Sequence, residues 1–136
     1  NRWKSNNLEF TKHNIELALS AVAKFEEALV RLTGDPHMPM QQLRLLLCLY
    51  SNGETAQQNL PELTLVEKSA VSRNVQKLGP GTYATVDGKK TFQPGLGLVE
   101  AHRPPENQRI SLVRLTTKGR AVLEEAARQA LQSRSV

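Results

Sequence analysis

Apolar residues at Ile15, Leu19, Val22, Phe25, Leu29 and Leu32 recur every three or four positions. That period is one face of an α-helix and predicts a helix over residues 11–33. Thr11 or Asn14 can cap its start, and Gly34-Asp35-Pro36 supplies turn chemistry at its end. The mixed spacing also resembles a heptad seam, so the stripe faces either its own core or a second subunit. A second helix is expected from Pro39, where a first-turn proline loses no needed hydrogen bond, to Asn52-Gly53. Residues 43–49 are apolar on nearly every side, which predicts burial all round and makes this helix the central strut.

Thr55 followed by Gln58 is a capping-box pattern and predicts a short third helix. Pro61 interrupts it, because an interior proline costs about 3 kcal/mol. Either the helix is two turns long and kinked there, or Pro61 begins a separate turn; Leu60, Leu63 and Leu65 are expected to face inward. A fourth helix covers residues 67–78, buries Val71, Val75 and Leu78, and stops at Gly79-Pro80-Gly81.

Beyond that point the period changes. Tyr83 to Val86, the dipeptide Asp87-Gly88, and Lys89 to Phe92 form a strong hairpin signal around a two-residue primed turn. A second hairpin has residues 98–102 and 109–115 as arms, with Pro104-Pro105-Glu106-Asn107 in the loop, since prolines cannot donate to a ladder. The last element, residues 117–133, places Ala121, Leu123, Ala127 and Leu131 among charges and reads as an amphipathic helix. The order is mainly α with a small β wing: a winged helix-turn-helix with an extra hairpin between the recognition helix and the wing. A chain of 136 residues suits one domain. Its parts are residues 11–33 as an N-terminal helix, 39–78 as the helix-turn-helix core, 79–97 as an insert, 98–116 as the wing and 117–133 as a C-terminal helix.

Charge gives this architecture a partner. The formal charge of +5 and pI near 9.7 favour an anionic partner, nucleic acid first. The single cysteine, Cys48, excludes an intrachain disulfide and is expected to act as a small core hydrophobe in a reducing compartment. No apolar run approaches the roughly 20 residues of a membrane span, and no secretory signal pattern is present, so a cytoplasmic location is expected. The chain opens on Asn1 rather than methionine, which reads as a trimmed or recombinant piece.

On the fourth helix, Lys68, Ser69, Ser72, Arg73, Gln76 and Lys77 are left on the outer face, with no acidic residue among them. Ser69, Ser72, Arg73 and Gln76 suit base edges in a major groove, Arg through guanine and Gln through adenine, while Lys68 and Lys77 suit phosphates. Glu67 sits at the N-terminus, where a carboxylate suits the helix dipole. Arg103 and Arg109 flank the wing loop, placed for the negative potential of a neighbouring minor groove. An ordinary solvated helix face and two solubilising arginines are the competing reading. His13, His37 and His102 are far apart and no cysteine pair exists, so no zinc-ligand spacing is present and no metal or cofactor is expected. Gly95-Leu96-Gly97 is too short for a phosphate loop and lacks its lysine. No nucleophile and base are arranged together, and an enzyme is not expected.

The stretches 55–65, Glu67-Lys68-Ser69-Ala70-Val71-Ser72-Arg73 through Leu78, Gly97-Leu98-Val99-Glu100, and Arg109 through Leu115-Thr116-Thr117-Lys118-Gly119 together resemble the MarR-type (multiple-antibiotic-resistance regulator) winged helix-turn-helix family. The last stretch, a wing strand running into a Leu-Thr-x-Lys-Gly helix start, is the most specific. The resemblance implies a dimeric regulator on pseudo-palindromic duplex DNA, usually a repressor and often released by a small-molecule effector. It marks the chain as a divergent member: the link 79–96 is long, Glu106 or Asn107 stands at the wing tip in place of the usual acidic residue, Pro61 is unusual, and the C-terminal portion has room for one helix. The alternative class is a winged helix used as a protein-interaction module through the 79–97 insert.

Overall fold

The computed structural model describes residues 11–132. Helix α1 (Lys12–Thr33) starts where Thr11 Oγ1 accepts from the Asn14 N–H at 3.2 Å and ends at Gly34, whose N–H donates to Val30 O. Of the two caps the sequence offers, the structure uses Thr11. Helix α2 (Met40–Asn52) follows, with Pro39 as its N-cap residue and Gly53 at its end. Leu45, Leu46 and Leu49 are buried, but Leu47 and Tyr50 are exposed, so α2 is not enclosed on all sides. The reason is that α1 and the C-terminal helix meet beside it and leave an open groove over Leu47 and Tyr50.

The expected capping box at Thr55 does not form. Thr55–Ala56 is instead a short strand, β1, and the Thr55 hydroxyl donates to Gly53 O at 2.9 Å. A 3₁₀ turn (Gln57–Asn59) leads into the single-turn helix α3 (Leu60–Thr64). Pro61 lies in the first turn of α3, where its missing N–H interrupts nothing, so it starts a separate turn rather than kinking a longer helix. Only Leu60 of the three leucines is buried; Leu63 and Leu65 face outward, Leu65 from a left-handed backbone at φ 60° that ends α3. Helix α4 (Lys68–Leu78) begins immediately after, with Glu67 as its N-cap residue.

Two antiparallel sheets follow. β2 (Gly81–Val86) and β3 (Lys89–Pro94) form the expected hairpin in full register, from Gly81 opposite Pro94 to Val86 opposite Lys89. Asp87 (φ 52°) and Gly88 (φ 77°) make the tight turn between them, the conformation that the Asp-Gly dipeptide favours. The wing is β4 (Val99–His102) and β5 (Leu112–Leu115), and β1 adds to its edge in the order β1-β5-β4. Helix α5 (Thr117–Gln132) closes the described chain; its expected end at residue 133 lies outside the described residues. Its buried face is Gly119, Val122, Leu123, Ala126 and Ala130. The expected stripe therefore holds only at Leu123: Ala121, Ala127 and Leu131 are exposed, because α1 packs on the neighbouring face.

The core is one cluster drawn from every helix and the wing: Ala28, Leu29, Leu45, Leu46, Leu49, Leu60, Val71, Val75, Leu78, Leu98, Val99, Val113 and Leu123 belong to it. Cys48 packs against this cluster. No helix of the described residues is long and apolar enough to cross a membrane.

Candidate nucleic-acid interface

Helix α4 sorts its side chains by face. Ala70, Val71, Asn74, Val75 and Leu78 are buried, whereas Lys68, Ser69, Ser72, Arg73, Gln76 and Lys77 are all exposed. Ser69, Ser72, Arg73 and Gln76 stand at i, i+3, i+4 and i+7, so they share one outward stripe, with Lys68 in the first turn and Lys77 in the last. Among the described residues, the charged ends of Lys68, Arg73 and Lys77 make no hydrogen bond or ion pair. A row of unpaired donors without a carboxylate suits a polyanion.

The helix is fixed from behind by a polar contact. Gln42 of α2 donates from Nε2 to Asn74 Oδ1 at 3.2 Å, and Asn74 Nδ2 donates to Gln41 Oε1 at 3.4 Å. Gln42 and Asn74 are both buried, and Gln42 Oε1 has no hydrogen-bond partner among the described residues. An unmet buried acceptor costs about 1–3 kcal/mol, so this pair serves the placement of α4 more than the stability of the fold. Sequence reading does not single out Asn74 as part of the site. Its signal is a polar residue at the i+3 position of the otherwise apolar series Val71, Val75, Leu78.

The wing loop reaches back to the start of α4. Gln57, Gln58, Pro61, Lys68, Val71, Arg103, Arg109 and Ser111 line one shallow groove of about 240 Å³. Three of the sequence-selected cations, Lys68, Arg103 and Arg109, are thus brought together. The two wing arginines differ in what holds them. Arg103 Nη1 donates to Gln108 O at 2.9 Å and braces the loop, while the Arg109 guanidinium has no partner among the described residues. Asn107 Oδ1 accepts from the Arg109 N–H at 3.1 Å, so the wing-tip residue shapes the backbone rather than binding the guanidinium. The sequence pattern gives Gln57 and Gln58 to a helix and so hides their place in this groove.

Behind the wing, an ion-pair network ties the sheet to the end of α2. Glu54 Oε2 lies 2.8 Å from His102 Nε2 and 3.4 Å from Arg114 Nη1, and Arg114 Nε donates to Glu100 Oε1 at 2.8 Å. The hydrogen bond from His102, reinforced by the Arg114 charge, holds the Glu54 carboxyl below the usual carboxylate range. Glu100 in turn raises Arg114. The root of the wing is fixed by Thr116, whose hydroxyl donates to Gly97 O at 2.6 Å and accepts from the Gly119 N–H at 2.9 Å. Lys118 Nζ adds a bond to Leu96 O at 2.9 Å.

This arrangement has counterparts among known proteins. No protein-family model matches the chain. It is 31% identical over 88 residues to the uncharacterized HTH-type transcriptional regulator YdgJ of Bacillus subtilis, a stretch covering 65% of this chain and 44% of that protein. The chain therefore spans less than half the length of this curated relative. The crystal structure of RV1404 from Mycobacterium tuberculosis is similar with a TM-score of 0.64 at 21% identity, covering 89% of this chain and 71% of that one. A cysteine-to-serine mutant of MarR from E. coli, solved in complex with operator DNA, is similar with a TM-score of 0.56 at 20% identity, covering 93% of this chain and 76% of that one. The helices, their order and the wing match those of these solved structures: the chain has the winged helix-turn-helix fold of the MarR type.

Proposed function

We propose that this chain is a sequence-specific, duplex DNA-binding transcriptional regulator of the MarR type, a non-enzyme that folds as one winged helix-turn-helix domain. The observation that carries this reading is the acid-free outward stripe of α4, continuous with the groove that Lys68 shares with Arg103 and Arg109. In this reading α4 enters a major groove, where Ser69, Ser72, Arg73 and Gln76 meet base edges and Lys68 and Lys77 meet phosphates. Arg109, whose guanidinium has no partner among the described residues, enters the adjacent minor groove, and Arg103 holds the loop that carries it. The likeness to a structure bound to operator DNA supports this assignment, and the family resemblance supports repression in the cytoplasm.

The same reading makes the regulator a dimer. Ile15, Leu19 and Val22 leave an apolar strip on α1 open to solvent, the part of the seam that the core does not use. Nearby, Phe25, Leu47, Tyr50, Leu123, Ala127 and Leu131 line a largely apolar groove of about 380 Å³, space in which a small apolar effector fits.

The test is a binding assay on a duplex selected by the protein from a random-sequence pool. Arg73→Ala is expected to cost about 1–3 kcal/mol and to relax discrimination at one base position. Lys77→Ala is expected to weaken all sequences alike and to lower the salt slope by about 0.9 for each bound subunit. If both variants bind the selected duplex as the parent does, the groove assignment is wrong.

A further inference from the structure

The contacts assigned to α4 and the wing make no use of the hairpin β2–β3. It leaves the C-terminal end of α4 on a stiff root: the Leu96 N–H donates to Lys77 O at 3.0 Å, the Gly97 N–H to Gly79 O at 3.0 Å and the Leu98 N–H to Leu78 O at 2.7 Å. Gly95 lies so close to this crossing that an added Cβ would stand 2.2 Å from Gly79 O. The helix and the ribbon are therefore set against each other backbone to backbone, with no side chain between them to act as a flexible spacer. Six registered pairs carry the ribbon about 20 Å outward.

Its surface chemistry is basic and aromatic. Between residues 77 and 94 the only charges are Lys77, Lys89 and Lys90 against Asp87. Tyr83 and Phe92, paired across the ribbon, pack edge to face with centroids 5.2 Å apart, and both remain exposed. Lys90 Nζ lies 5.6 Å from the Tyr83 ring centroid, while the Lys89 ammonium, next to the turn, has no partner among the described residues. Position completes the pattern. The wing loop approaches the first turn of α4, where Lys68 joins its groove. The ribbon stands at the last turn, where Lys77, Thr82 and Gln93 line another groove of about 230 Å³, with Asp35 on its other wall. The two β arms bracket α4 at its opposite ends, and each carries exposed cations.

We infer that β2–β3 is a second nucleic-acid arm, with Lys89 and Lys90 contacting duplex phosphates beyond the last turn of α4, on the side away from the wing. This rests on the DNA-binding reading above. Phosphate contacts of this kind add affinity and footprint without adding sequence preference.

The experiment uses the full chain and a duplex of about 40 base pairs, roughly four helical turns, chosen by the parent protein from a random pool. Affinity is read as a function of salt, and protection by hydroxyl-radical footprinting, for the parent, K89Q/K90Q, K89R/K90R and R73A. Both lysines are exposed and open β3 directly after the turn, and a thermal melt establishes that each variant folds. The expected result for K89Q/K90Q is a salt slope lower by about 1.8 for each bound subunit, two phosphates at about 0.9 each. Protection should be lost over about six base pairs beside each half-site, on the side away from the wing, the reach of the ribbon at 3.4 Å per step, with the preferred sequence unchanged; K89R/K90R should behave as the parent.

A K89Q/K90Q variant matching the parent in slope and footprint, while R73A loses discrimination, overturns the arm and leaves DNA binding by α4 in place. A parent that selects no duplex and shows no salt-dependent binding overturns both readings together.

Discussion

Gly119 sits where the first turn of α5 crosses the entry to the wing. A Cβ built there would stand 2.0 Å from Leu98 O and 2.9 Å from the carbonyl carbon, backbone atoms that cannot swing aside. Leu98 is itself fully buried and its carbonyl accepts from the Thr116 N–H, so relief would require moving the wing away from the helix. Gly119→Ala is therefore expected to destabilise the fold by about 2–3 kcal/mol, the upper range for overpacking, seen as a lower urea midpoint with an unchanged m-value. An unaltered midpoint would show that the helix can slide. The Leu-Thr-x-Lys-Gly stretch is legible in the sequence as a signature, but its logic is not. Thr116 caps the helix and ties it to Gly97, Lys118 holds Leu96 O, and Gly119 lets the two backbones touch. Residue type alone does not say which carbonyl a lysine meets.

Secondary elements with a full period are readable, and those without one are not. The hairpin signals itself through Asp87-Gly88 between β-favouring residues, and α1 through its 3–4 spacing. β1 has two residues, too few to show alternation, and exists because Ala56 and Thr55 pair with Leu112 and Val113. That pairing is supplied by a strand more than fifty residues later in the chain, which is why a local capping pattern misleads. The same edge is held by Glu54. Its carboxyl is held low in the folded chain, so its contribution is complete above about 4.5, the ordinary carboxylate value, and is lost as pH falls through the depressed folded value. Thermal melts between neutral pH and about pH 3 should show a shallower acid decline for Glu54→Gln than for the parent, with a slightly lower melting temperature at neutral pH. The effect is small because the pair is solvated. Superimposable acid limbs would mean that the network contributes nothing to folding.

For the whole molecule, the sequence shows that α1 carries more apolar surface than an amphipathic helix needs, but not which part the core uses. The structure divides it: Ala28 and Leu29 are buried and Phe25 packs against the core, while Leu19 is 65% exposed and Val22 64%. Leu19→Glu should leave the monomer fold intact, since that side chain meets water already, and should convert a dimeric parent to a monomer in sedimentation equilibrium. Operator affinity should fall with it, because two half-sites are then engaged independently. A Leu19→Glu protein that sediments as the parent does would place the subunit contact elsewhere. At this scale the buried Gln42–Asn74 link carries a practical consequence. It anchors α4 through a side chain that points away from the outward stripe, so in the proposed DNA-binding reading the placement of the helix and its base preference rest on different residues of the same eleven. On that reading, randomising positions 69, 72, 73 and 76 as a set should yield altered operator specificities, provided that Asn74 and Gln42 are kept together as the fixed mount.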